Sequence, residues 1–230
     1  MDRADIPHNR PWKRGLVVGA VVLTLSLLYA FVRYNILRDV PYSDIPLYIF
    51  NKGLALGSTI VIGFAFLLGP LAALSPRQFL PHLPLRQSLG IIGFGGAAVH
   101  GFISLILLSP AYYAKFYTAS GGLNAIGQFS LLFGVLALAV FTIIAISSLP
   151  MMFERLGEAR WKKIQSLGYS AFLLVFLHVV VMGARGWINP ESYSYGFISV
   201  SLLAALFIVL VFVIRSVAYV YRGGRDNHNS

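Results

Sequence analysis

Charge is confined to short clusters along this chain, and long uncharged runs lie between them. Arg14 and Arg33 bracket 18 uncharged residues, Lys52 and Arg77 bracket 24, and Arg86 and Lys115 bracket 28. Further on, Lys115 and Glu154 bracket 38, Lys163 and Arg185 bracket 21, and Glu191 and Arg215 bracket 23. About 20 apolar residues cross the hydrocarbon core of a bilayer as a helix, so every run is long enough to span. The longest holds one span and a loop, because Thr118-Ala119-Ser120-Gly121-Gly122 interrupts it near its start. The pattern predicts an all-α integral membrane protein, a bundle of six transmembrane helices. Its spans fall at about 15–34, 47–74, 87–109, 123–149, 166–184 and 194–214, counted at roughly 20 residues per crossing. The segment 150–165 carries the largest basic cluster and reads as a short interfacial helix. The expected organisation is a tail over 1–14, a six-helix domain over 15–220 and a second tail over 221–230.

Composition agrees. Only 11% of the residues are charged and mean hydropathy is +0.76, against roughly 25% charged residues in a soluble domain. The net charge of +10 would suit a nucleic-acid binder, but its distribution argues for topology instead. Six spans put the N-terminus, the second and fourth loops and the C-terminus on one side, and 13 of the 18 Lys and Arg residues lie there. The other five are Arg33, Arg38, Lys52, Lys115 and Arg185. That asymmetry predicts cytoplasmic termini and some attraction to anionic lipid. Nucleic acid is not an expected partner; the lipid bilayer is. The N-terminal run is long, and Leu28-Tyr29-Ala30-Phe31-Val32-Arg33 offers no small-residue cleavage site, so it reads as a retained span.

The chemistry available is narrow. With no cysteine, disulfides, thiolate ligands and iron–sulfur clusters are excluded. The glycines of Gly93-Phe94-Gly95-Gly96 sit inside a span and make no dinucleotide-binding turn. The loop Ala111-Tyr112-Tyr113-Ala114-Lys115-Phe116-Tyr117 is dense in aromatics and is expected to lie along the outer surface as a boundary belt.

Two of five histidines, His100 and His178, lie deep within uncharged runs. An ionisable residue inside a membrane is expensive and points to function, and imidazole is the usual axial ligand of haem iron. His100 lies 13 residues beyond Gln87, and His178 lies 13 beyond Gln165, on two spans running in the same direction. At about 1.5 Å of rise per residue, both rings sit some 20 Å above the cytoplasmic boundary. Equal depth suits one haem gripped from opposite faces. Gly93 and Gly96 share a helix face with His100 and would clear room for a porphyrin, as would Ala171 before His178. Plain helix packing also favours small residues, and Ser104 or Ser170 could instead supply a hydrogen-bond partner to a histidine.

The segments around both histidines resemble the ferric-reductase-like transmembrane family. Within it they resemble the haem-binding membrane subunits of bacterial periplasmic methionine sulfoxide reductase systems. The third span there runs from a basic residue through Leu-Gly and an aromatic to Leu-His; here stand Arg86-Gln87-Ser88-Leu89-Gly90, Phe94 and Val99-His100. The fifth opens Trp-x-x-Leu-His-x-x-x-Tyr and closes on Leu-His; here stand Trp161 to Tyr169 and Leu177-His178. Gly69-Pro70-Leu71-Ala72 and the segment from Ser147 to Gly157 are similar too, and the likeness covers about 45–215. Two positions depart from it. Gln165 stands where the fifth span has its first histidine, and Phe50-Asn51-Lys52-Gly53 replaces His-x-Thr-Gly.

The resemblance implies a multi-pass protein of the bacterial inner membrane with one haem b, His100 and His178 being its axial ligands. Electrons would come from a cytoplasmic flavin reductase or other flavin-bearing donor and leave to an outer-side soluble reductase or other acceptor. FMN or FAD against the basic inner surface (Arg86, Arg160, Lys162, Lys163) is compatible with that scheme. Two alternatives stand beside it: a terminal reductase of ferric or cupric chelates, and a haem-free membrane scaffold. For the former, Lys52, Lys115 and Arg185 would attract anionic chelates or, equally, haem propionates.

Overall fold

Hydrocarbon offers no partner for a backbone N–H, so an apolar stretch within a bilayer closes its own hydrogen bonds as a helix. A computed structural model describes residues 10–189, 193 and 195–228. Six long helices carry the expected spans: α1 (Arg10–Phe31), α2 (Phe50–Leu74), α3 (Leu85–Ile106), α4 (Ala125–Ser147), α5 (Pro150–Trp187) and α6 (Val200–His228). Each holds a segment long and apolar enough to cross a membrane. Among the described residues the only extended pairing is a single bridge between Tyr117 and Leu123.

Helix limits differ from hydropathy limits. The tail expected over 1–14 lies outside the described residues as far as residue 9, and α1 begins at Arg10, within that tail. At the other end, α6 runs on to His228, so 221–228 continue a helix. Hydropathy marks where lipid ends, and a helix formed in lipid can extend into water. The interfacial helix expected over 150–165 is shorter than its basic cluster. Gly157 breaks α5 with φ 71° and ψ 161°, a backbone region that glycine occupies without a Cβ penalty. Residues 150–156 form the short arm, and residues from 158 onward already belong to the long helix.

Helix α2 is the centre of the bundle. Its most apolar stretch is 56% buried, against 17–28% for the other five. It packs against α1, α3 and α6, while α3 packs on α4, α4 on α5 and α5 on α6. A ring of α2 to α6 results, with α1 laid against the outside of α2 and α3. Gly53 lets α1 come close, since a Cβ there would stand 2.8 Å from the Leu27 Cα. Across the ring, α3 and α5 do not pack closely on one another.

The start of α1, the end of α6 and the loops α2–α3 and α4–α5 share one face, which carries most of the Lys and Arg residues. Inside the bundle toward this basic face, Ile62, Leu67, Phe141, Ala171, Phe172, Ile208 and Val211 form a core, with Phe66, Phe94 and Phe212 packed on it. Toward the opposite face the segment 110–117 folds inward. It forms a short helix (Pro110–Tyr113) and a 3-10 turn (Ala114–Phe116), and Phe116 is only 5% exposed. The aromatic loop is therefore part of the packing, not merely a belt.

The charge asymmetry predicts that the basic face lies in the cytoplasm. Exposed single cysteines at Ser120→Cys and Gln78→Cys test this. A membrane-impermeant maleimide should label the first on intact cells and the second only after permeabilisation; the reverse pattern overturns the orientation.

Candidate functional site

His100 lies in the last turns of α3, on the stripe Leu89, Gly93, Gly96, His100 and Ile103. That stripe faces α2. A Cβ on Gly93 would stand 2.6 Å from Ile62 Cγ1 and 3.0 Å from the Ile62 backbone nitrogen. A Cβ on Gly96 would collide with the Ser58 hydroxyl. The room these two glycines make is filled by Ile62, Ser58 and Leu54 of α2. Ala171 is likewise fully buried in the core. What the glycines permit is the close approach of α3 to α2. That approach brings Asn51 to His100.

The contact is specific. The His100 Nδ1–H donates to Asn51 Oδ1 at 2.8 Å, and Asn51 Nδ2 donates to Ser104 Oγ at 2.9 Å. Asn51 is 1% exposed. Tyr113, from the inward-folded loop, reaches both Asn51 and Ser104. Burial raises that phenol's pKa, and its two hydrogen-bond partners pull it the other way.

His178 finds a different partner. Its Nδ1–H donates to the backbone carbonyl of Ser130 in α4 at 2.7 Å, with Ser130 Oγ at 3.3 Å. Gly134 makes this possible, since a Cβ there would stand 3.1 Å from Nδ1. A carbonyl only accepts, so His178 Nδ1 carries the proton. A neutral imidazole has one such proton. In the arrangement observed, the Nε2 of each ring keeps its lone pair. Metal-ligating histidines are oriented in just this way, by donating the other ring N–H to an amide or carbonyl oxygen.

The two rings come from separate helices and lie within electrostatic reach of each other. Among the described residues no group of three or more His, Cys, Asp or Glu side chains could hold a metal ion. Two imidazoles alone are a poor cage for a bare cation. They suit an iron whose remaining four positions a macrocycle supplies, so the donor set fits haem. Of the partners foreseen from sequence, Ser104 stands 3.5 Å from His100 Nδ1 and accepts from Asn51; Asn51, the Ser130 carbonyl and Gly134 were not foreseen.

Cations gather at the same end. The Lys52 ammonium lies 4.3 Å over the Tyr48 ring and 4.8 Å over the Tyr34 ring. It is within electrostatic reach of Arg33, Lys115 and His100. Lys115 Nζ donates to the Met182 carbonyl at 2.7 Å, and burial holds its ammonium below the usual lysine range. Arg185 is exposed near the end of α5.

Toward the basic face, Gln165 has a structural task. Its Nε2 donates to the Ser147 and Ser148 hydroxyls, both at 3.0 Å, at the carboxyl end of α4. Trp161 Nε1 donates to the Ser147 carbonyl at 3.0 Å. Nearby, the Arg215 guanidinium sits 3.2 Å over the Tyr169 ring. The Arg86 guanidinium lies close to Gly69, while Arg160, Lys162 and Lys163 are exposed.

Comparison with known proteins places this geometry. Mouse and human proteins named Metalloreductase STEAP2 are each 29% identical over 213 residues, covering 77% of this chain and 44% of theirs. Rat Metalloreductase STEAP3 is 26% identical over 210 residues, covering 76% and 43%. The chain therefore spans less than half the length of these relatives. Residues 53–176 match the family described as the ferric reductase like transmembrane component, a match that takes in His100 and ends just before His178. Because that match covers more than half of its residues, the chain belongs to the ferric reductase like transmembrane family.

Proposed function

We propose that this chain carries electrons across the membrane through a single haem b held between His100 and His178. One observation carries the reading: both imidazoles have Nδ1 committed to a buried acceptor, which leaves the ring's lone pair on Nε2. When bound, the haem would supply one-electron iron chemistry. His100 and His178 would both hold it, and two histidine ligands favour electron transfer over oxygen activation. The protein's own part is orientation and environment. Asn51 and the Ser130 carbonyl fix the rings, the apolar bundle excludes water, and Lys52 and Lys115 favour anionic groups at the opposite face.

The charge asymmetry supports a basic face in the cytoplasm of a plasma membrane, where a flavin-bearing donor, FMN or FAD, would dock. The acceptor then lies across the membrane. The relatives are named metalloreductases, which favours a ferric or cupric chelate as acceptor, drawn by the cations near Lys52. Pairing with a periplasmic methionine sulfoxide reductase rests on the histidine segments alone and is the second reading.

Purified protein should contain one haem per chain by pyridine haemochrome assay. Two would require a ligand beyond this pair, and none would leave a membrane scaffold.

His100→Ala and His178→Ala should each abolish the low-spin haem spectrum, because each removes an iron ligand. His82→Ala, in an exposed turn, should leave it intact. A normal low-spin spectrum in either intramembrane variant would make that histidine a packing residue.

Reoxidation of the dithionite-reduced protein separates the acceptors. Fast reoxidation by ferric or cupric chelates supports the metalloreductase reading, whereas inertness to both with turnover by a periplasmic reductase supports the other.

A further inference from the structure

The two imidazoles are fixed by acceptors of different kinds. His178 donates to a backbone carbonyl, which no side-chain change can remove. His100 donates to the amide oxygen of Asn51, a side chain on a helix that carries neither histidine. Asn51 is 1% exposed, and both ends of its amide are engaged. The Nδ2 end is tied to Ser104, one turn beyond His100 on the same helix, and this brace aims Oδ1 at the ring. A buried amide with both ends satisfied is expensive to reorient.

Resting on the haem reading above, we propose that Asn51 is a positioning residue that tunes the iron's reduction potential through His100. A hydrogen-bond acceptor on Nδ1–H raises the basicity of the metal-bound nitrogen. A more basic ligand stabilises the ferric over the ferrous state and lowers the potential. Asn51 therefore holds the potential below the value it would have with an unpartnered His100. Among the described residues it is the one side-chain oxygen within 3 Å of either Nδ1. Asn51 is thus a side-chain position at which ligand basicity can be adjusted without touching a ligand.

The test is redox titration of the purified haem-loaded protein with Asn51 changed in two directions. Asn51→Leu keeps the bulk and removes the acceptor; the potential should rise and haem retention weaken about ten- to a hundred-fold. Asn51→Asp, measured at alkaline pH where the carboxyl is ionised, supplies a stronger acceptor; the potential should fall. The spread of the low-spin ferric g-values should move in opposite senses in the two variants. Ser130→Ala leaves the carbonyl in place and should keep the wild-type potential. Should Asn51→Leu fail to fold or to hold haem, Asn51→Asp carries the test alone. Haem-loaded Asn51 variants with unchanged potentials, or with shifts of the same sign, overturn the proposal and leave the histidine pair standing. Wild-type protein that binds no haem overturns the underlying reading instead.

Discussion

A polar group in hydrocarbon has no water to fall back on, and the arrangement of this bundle follows from that constraint. The backbone meets it by forming helices. The two imidazoles meet it by each giving one N–H to an acceptor on a neighbouring helix. Such interhelical bonds average only about 0.6 kcal/mol in a bilayer, so they contribute little to stability. Their effect is on identity and direction. By engaging Nδ1 they decide which ring nitrogen keeps a lone pair and where it points.

Reaching those acceptors requires close helix approach, and the small residues provide it. Gly93 and Gly96 bring α3 onto α2, and Gly134 brings the His178 ring onto the α4 backbone. Small residues near a ligand were expected to make space for the ligand itself. In the bundle they bring in the neighbours that hold the two imidazoles. The distinction has an energetic consequence. A larger side chain at Gly93 would push against the Ile62 backbone, which cannot rotate away, and would open the distance from His100 to Asn51.

Much of this was legible in the sequence because hydropathy and charge act one residue at a time. Six spans, the place of both histidines deep within uncharged runs and the absence of thiolates needed no tertiary knowledge. Partner identity was not legible, since it depends on how each helix is rotated about its axis. Asn51 stood in the departure Phe50-Asn51-Lys52-Gly53, which drew attention only for the histidine that Phe50 replaces. The Ser130 partner is a carbonyl, which every residue has, so no sequence signal marks it. Gly157 and the helical 221–228 segment were missed for another reason: apolarity predicts membrane limits, and both features lie where those limits and helix limits part.

On the proposed reading, Gln165 bears on how many haems the bundle would hold. Its amide closes the carboxyl end of α4 through Ser147 and Ser148, so the position is committed to packing. The interior beside it is filled with rings. Phe66 stacks on Tyr169 at 4.9 Å between centroids and meets Phe172 at 5.3 Å, and Phe172 meets Phe212 at 6.2 Å. These side chains fill the interior of the bundle toward the basic face. On the proposed reading, electrons from a donor at that face cross this aromatic packing to reach one iron near the opposite face. Burial of that packing then has two effects: it stabilises the basic half of the bundle, and it fixes the distance that transfer must cover.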